Sequence, residues 1–325
     1  MKSSPVSLIA LSLLVAGCGG GGGSTFNGAP PVGTSFPING SNGVAVTQLS
    51  WEAAVASGGL TDLGGAAGLS GNAPSGSAIA ERATRDEGLL YNVISMVPFG
   101  PDVYPCEGGS GTVTLSGDLA DPFTFSPGDT FLIQYDLCDE GFGEVIDGTV
   151  SLTVSDFAGD IFAGTYLLGM DANVDALSVA TASDTIVGNG DAAITLDTIE
   201  TPYIEASVSG QVMTQDSLSS SETLRNYSSV QTFDGNLSPA VYTMDASGTL
   251  ESSQLPGNVT YSTPTTFVGN EGEYPNTGVL LVRGESSSAR LVAVDATNVR
   301  IEIDNNGDGT SDEIIELTWA ELEAS

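Results

Sequence analysis

The 325-residue sequence contains no histidine, and its single lysine is Lys2. Without an imidazole, the Ser-His-Asp and Cys-His nucleophile systems and every histidine-ligated metal site are excluded. Glycosidases that use only two carboxylates escape this exclusion. In a chain with 41 acidic residues, however, neighbouring carboxylates arise by chance. We therefore expect no catalytic residues and no enzymatic activity.

Positive charge is scarce along the whole chain. Seven Lys and Arg residues stand against 41 Asp and Glu, which gives a formal net charge of −34. A field of that sign repels nucleic acid and attracts divalent cations, so we expect no nucleic-acid partner. Although strong acidity can accompany disorder, 40% hydrophobic and only 15% charged residues predict a packed core over most of the chain.

The apolar run near the start is too short to cross a bilayer as a helix, which requires roughly 20 residues. This run, at residues 6–15, follows the positive Lys2 and leads into Val15-Ala16-Gly17-Cys18. A positive start, an apolar stretch and small residues at the end are typical of a secretory signal peptide. Small residues directly before a cysteine resemble the lipobox of bacterial lipoproteins.

The lipobox resemblance has consequences for location. It implies that residues 1–17 are removed and that Cys18 is acylated on its sulfur and on its new amine, which anchors the protein in a membrane. Gly19, rather than aspartate, follows the cysteine, and in enteric lipoproteins this implies export to the outer membrane. The face of that membrane stays open, and so does an ordinary secretory peptide with an incidental cysteine.

The segment after the cysteine is poor in residues that could build a core. Gly19 to Gly23 form a glycine run, followed by small and polar residues and a proline pair. This composition predicts a flexible tether at 18–45. We expect a loop and helix segment at 46–99 that packs on a sheet, and a β domain at 100–325.

One helix is predicted before the β domain. Residues 77–97 carry apolar side chains at helical spacing and oppositely charged i,i+4 pairs, and Pro98 ends the pattern. Residues 44–76 are rich in Gly, Ala and Ser with scattered apolar residues, which indicates a loop or a loosely docked segment.

From Cys106 onward, apolar and polar residues alternate, as in strands with one buried face. The clearest stretches are at 113–115, 131–137, 150–154, 194–196, 204–208 and 299–303. Turn signals separate them at 127–129, 147–148, 188–191, 234–236, 256–258 and 305–307. Because no alternation of strands and helices appears, we predict a mainly β fold, an antiparallel meander that forms a sandwich, an open barrel or a half-barrel.

The cysteines divide into one and two. With Cys18 assigned to the lipid, Cys106 and Cys138 remain as a pair in an oxidising compartment, and we expect a disulfide between them. Two unpaired buried thiols are the alternative.

The segment Asp304 to Glu313 carries the only motif with recognisable chemistry. Oxygen-bearing residues alternate along it, a pattern that resembles the calcium loops of EF-hands and of extracellular aspartate-rich repeats. The twelfth position, where EF-hands place a bidentate glutamate, is Ile315, and the flanks look like strands. A weak calcium site and a solvated hairpin loop are both compatible with this pattern. The candidate ligands are Asp304, Asn306, Asp308, the carbonyl of Thr310, and Asp312.

A wider pattern adds a family resemblance. Cys106, Gly128-Asp129, Cys138, Asp147-Gly148, the Asp-Gly-rich loop and Leu317-Thr-Trp319-Ala-Glu-Leu322 together resemble a set of uncharacterised lipoproteins of Gram-negative bacteria. That resemblance covers most of residues 100–325 and implies no particular activity.

These features favour a lipid-anchored envelope protein with a structural, adhesive or binding role. Its expected partners are the membrane, reached through the anchor, and divalent cations, with Ca²⁺ as a possible weak cofactor. A carrier or sensor of an apolar ligand inside a curved half-barrel is the alternative. A continuous apolar cavity would favour the carrier, whereas a filled core with exposed faces would favour the first interpretation.

Overall fold

The structure, a computed structural model, describes residues 34–59 and 101–324, apart from short gaps at 107, 122–123, 140–144, 161–162, 182–184, 201 and 219. Cys18 and the helix predicted at 77–97 therefore lie outside the described residues. No helix within these ranges is both long enough and apolar enough to cross a membrane.

The described residues form two helices and fourteen strands, which we number in chain order. Helix α1 spans Gly43–Gly59 and helix α2 spans Trp319–Glu323. The strands are β1 (Asp102–Pro105), β2 (Thr112–Asp118), β3 (Thr130–Asp139), β4 (Val145–Asp160), β5 (Thr165–Ala180), β6 (Thr185–Asp197), β7 (Tyr203–Asp216), β8 (Ser221–Asp234), β9 (Val241–Ser252), β10 (Asn258–Asn270), β11 (Thr277–Gly284), β12 (Ser287–Ala293), β13 (Asn298–Asp304) and β14 (Glu313–Thr318).

All fourteen strands belong to one antiparallel sheet in which each strand pairs with its neighbours in the sequence. The sheet is not closed, and β1 and β14 are its two ends. A mainly β antiparallel meander with one helix near the N-terminus is thus confirmed. Each stretch predicted as a strand lies within a strand, because side chains that alternate between core and solvent mark strands that are buried on one face.

Two of the predicted turns are wrong. Asp147–Gly148 lies inside β4 and Gly188–Asp191 lies inside β6, and the pairing register shifts at both places. Gly148 has a φ of +123°, and a Cβ there would lie 2.6 Å from the carbonyl oxygen of Ala176 on β5. These glycines therefore lie at β-bulges. A bulge bends a strand and increases its twist without ending it.

Further bulges occupy non-glycine positions. Leu137, Ala176 and Asn226 have φ values of 45°, 48° and 47°, and each lies at a register shift between neighbouring strands. Bulges on β3, β5 and β8 add curvature to a sheet that would otherwise be long and evenly twisted.

Helix α1 occupies residues that the sequence analysis assigned to a loop. It packs against strands from β7 to β13, and we call the face of the sheet that it covers the inner face. Trp51 lies 5.0 Å from Phe267 and 4.9 Å from Trp319, between ring centroids. The helix was missed because much of its buried face is polar. The buried hydroxyls of Thr47 and Ser57 donate to helix carbonyls at 2.6 and 2.7 Å, which allows these polar residues to be buried. Because polar residues stand at buried positions, no apolar period appears in the sequence.

The last part of the predicted tether is also packed on the sheet. Phe36 and Ile38 are buried, and the N–H of Ile38 donates to the hydroxyl of Ser287 at 2.7 Å. The carbonyl of Phe36 accepts from the N–H of Glu285 at 2.8 Å. The folded part of the chain therefore begins by residue 34, earlier than the predicted boundary at 45.

Helix α2 closes the core at the C-terminal side. Thr318 and Glu321 form a reciprocal capping box at its start, which satisfies backbone donors that a short helix would otherwise leave open. Trp319 and Leu322 are fully buried, and Tyr274 stacks on Trp319 at 5.5 Å. Both helices and the sheet contribute to one continuous cluster of buried apolar side chains.

Candidate functional site

The aspartate-rich loop joins β13 to β14 and turns around Asp304. One carboxylate oxygen of Asp304 accepts from the N–H groups of Asn306 and Gly307 at 3.2 and 2.7 Å. The other accepts from the N–H of Gly309 at 2.8 Å. Burial of the carboxylate opposes its ionisation, but these backbone donors together outweigh that effect and lower the pKa of Asp304.

The other candidate ligands bind backbone amides as well. Asn306 accepts from the N–H of Asp308, and Asp308 accepts from the N–H of Thr310, at 2.9 and 2.8 Å. Asp312 accepts from the N–H of Asn305 at 2.8 Å. In the described part of the chain, no three Asp, Glu or Cys side chains converge as a metal-binding group. The oxygen donors suit Ca²⁺ chemically, and calcium binding by this loop stays a prediction.

The structure joins Cys106 and Cys138 in a disulfide, with 5.5 Å between their Cα atoms. Both residues are buried. Cys106 directly follows β1, and Cys138 lies near the end of β3. The bond therefore ties the first strand of the sheet to the third.

A crevice between α1 and the sheet carries two carboxylates that the sequence analysis did not identify. Glu52 of α1 and Glu222 of β8 line it, together with apolar and polar side chains. No spacing pattern could have revealed this pair, because the two residues lie far apart in the sequence and only the fold brings them together. The other lining residues are Ala53, Ala56, Met213, Thr214, Gln215 and Leu224.

Burial perturbs the ionisation of both acids. Desolvation, with a further contribution from the nearby Glu52, raises the pKa of Glu222 from 4.5 to about 7. Desolvation also raises the pKa of Glu52, against the hydrogen bond that Gln48 donates to it at 3.0 Å, and Glu323 of α2 adds to the rise. Three carboxylates, one each from α1, β8 and α2, thus interact electrostatically on one side of α1.

A broad open depression of about 550 Å³ lies among residues of strands β5 to β8. Its lining includes two aspartates, Asp171 and Asp191, with amides and a serine among small residues. Tyr227, a member of the buried apolar cluster, also lines it and donates its hydroxyl to the carbonyl of Asp191 at 2.9 Å.

No protein-family model matches the chain, and comparison with curated proteins and with solved structures gives no match.

Proposed function

We propose that this chain is a lipid-anchored protein of the bacterial cell envelope with a non-catalytic binding or structural role. The anchor is Cys18, and the outer membrane is the location that Gly19 favours under the sorting rule of enteric lipoproteins. The tether that follows the cysteine leads directly to the residues packed on the sheet. An acylated terminus retains such a domain at a membrane without any spanning segment.

The observation that carries the binding or structural role is the position of α1. Its side chains, Trp51 above all, occupy the inner face of the sheet within the buried apolar cluster. A carrier of an apolar ligand would need that volume for its ligand. Where α1 covers the inner face, over β7 to β13, contacts with other molecules fall to the outer face and to the edges of the sheet.

The test of the anchor is the variant Cys18→Ser. The wild-type protein should incorporate radiolabelled fatty acid and partition into the detergent phase of a cell extract. The variant should be soluble or uncleaved, without label. If the variant still carries the label, acylation at Cys18 is wrong.

A second experiment addresses the role of the inner face. Organic extraction of the purified protein should release no stoichiometric lipid beyond the chains bound to Cys18. Recovery of one equivalent of free lipid would favour the carrier instead.

A further inference from the structure

Strand β14 is an end of the sheet, and none of the described strands pairs with its outer side. The N–H of Trp319 donates to the carbonyl of Thr297, and in an antiparallel ladder the backbone groups that face one neighbour recur every second residue. Glu313, Ile315 and Leu317 therefore face β13. The N–H and C=O groups of Ile314 and Glu316 point away from the sheet, and none of the described strands pairs with them.

No described strand covers the side chains of β14 on that side either. Ile315 and Leu317 are only partly buried, whereas Ile301 and Val299, their partners on β13, are fully buried. Ile314 on the opposite face is 58% exposed. One additional strand beside β14 would bury these apolar side chains and continue the ladder.

The other end of the sheet is protected. Strand β1 has four residues, and the N–H of Cys106 donates to the carbonyl of Gly111, so Val103 and Pro105 are the residues whose backbones face outward. Proline has no N–H to offer, and proline on a short edge strand is a common defence against unwanted pairing. Val103 is thus the single outward donor of β1. The six-residue β14 contains no proline and has three outward N–H groups. That of Thr318 donates to the carboxylate of Glu321 at 2.8 Å, which leaves those of Ile314 and Glu316 for a further strand.

The charge around β14 indicates the kind of partner. Glu316 has no ion pair with a described residue, because the guanidinium of Arg300 across from it binds Glu302 at 2.7 Å. Asp312 and Glu313 stand at the start of the strand. A second copy of a chain with a net charge of −34 would be repelled at this edge, whereas a basic segment would be attracted.

We propose that the open edge of β14 binds an extended basic segment of another protein by strand addition. In such a complex the backbone of the segment pairs with Ile314 and Glu316. Its apolar side chains cover Ile315 and Leu317, and a basic side chain lies opposite Glu316. This inference deepens the proposed binding role by naming the class of partner.

The test uses the purified full-length mature protein and a labelled six-residue peptide, the length of β14, in which arginine and valine alternate. Fluorescence anisotropy at physiological ionic strength measures binding. The variant Glu316→Pro removes an outward N–H without breaking the ladder to β13. It should weaken binding by about tenfold or more. The matched variant Val103→Pro removes the corresponding donor at the other edge and should bind as wild type does.

Two further arms separate strand addition from simple charge attraction. The variant Glu316→Gln keeps the N–H and should lose only part of the affinity. A peptide of the same sequence with alternate backbone nitrogens methylated keeps its charge and should bind weakly. Equal binding of both peptides, or equal loss in both proline variants, would overturn the proposal.

Self-association is the remaining outcome. If ultracentrifugation finds a dimer that Glu316→Pro abolishes, the edge pairs with a second copy and the proposal of a basic partner is wrong. The anchor is tested separately through Cys18, so either proposal can fail without the other.

Discussion

At the scale of single residues, Glu222 couples the fold to pH. Its pKa is raised from 4.5 to about 7 in the folded protein, so the folded state holds a proton that the unfolded state has released. The stabilisation is complete below pH 4.5, and it is lost as pH rises from 4.5 to about 7. Full loss corresponds to about 3 kcal/mol as an upper limit.

The first prediction is that Glu222→Gln makes the free energy of unfolding less dependent on pH between 4.5 and 7 and raises stability above that range. Urea unfolding at a series of pH values measures the effect. Glu205→Gln, at an exposed position on β7, removes one negative charge and serves as the control. Parallel pH profiles for Glu222→Gln and wild type would contradict the assignment.

The second prediction concerns calcium and the aspartate-rich loop. If Ca²⁺ binds there, calcium at about ten times the dissociation constant stabilises the fold by about 1.4 kcal/mol. Ca²⁺ should then raise the melting temperature more than Na⁺ of equal ionic strength, and Asp308→Ala should abolish the difference. General screening of the negative charge acts with either salt and survives the mutation. Identical melting curves in the two salts would mean that the loop is only a turn.

Some of the residues of the candidate sites can be identified from the sequence, and others cannot. The loop around Asp304 is visible because its residues are contiguous, and Cys106 and Cys138 can be paired by elimination. The pair of Glu52 and Glu222 cannot be identified from the sequence. The pKa values of both residues are raised by burial and proximity, which only the packing of α1 on β8 creates.

At the scale of elements, α1 is an integral part of the core. The third prediction is that Trp51→Ala lowers the free energy of unfolding by about 3–5 kcal/mol, since the indole packs against Phe267 and Trp319. Trp51→Phe should cost much less, because it keeps an aromatic ring and removes an indole N–H that has no hydrogen-bond partner among the described residues. Urea unfolding compares the three proteins. An unchanged midpoint for Trp51→Ala would mean that the helix is not part of the cooperative fold.

The disulfide supports the fourth prediction. Replacing Cys106 and Cys138 together by alanine should lower stability by about 2–5 kcal/mol, because the closed loop restricts the unfolded chain. Peptide mapping without reductant should show the linked pair in the exported protein. Two thiols that react freely with an alkylating agent would disprove the bond.

Strands were easier to predict than helices in this chain. In a meander with one buried face, each strand displays its pattern locally, and most hairpin turns carry Gly, Asn or Asp. Gly148 and Gly190 were misassigned because a bulge uses the same residue as a turn. Helix α1 was not predicted because Thr47, Ser50 and Ser57 are polar residues on its buried face and interrupt the apolar period.

At the scale of the whole molecule, the antiparallel meander could be predicted from the sequence but the two ends of its sheet could not. The order of strands in space decides which strands lie at the edges. Only when β1 and β14 are known to be the edges does the contrast between Pro105 and the proline-free β14 bear on pairing. The part of the inner face that α1 covers, over β7 to β13, likewise follows from where the helix docks.

The central claim, that the domain is held at a membrane through Cys18, is tested most directly by the mass of the mature N-terminus. The fifth prediction is that mass spectrometry of membrane-extracted protein finds an N-terminal peptide that begins at Cys18 and carries acyl chains on its sulfur and its amine. A mature N-terminus with an unmodified thiol at Cys18, or one that begins at another residue, would contradict it.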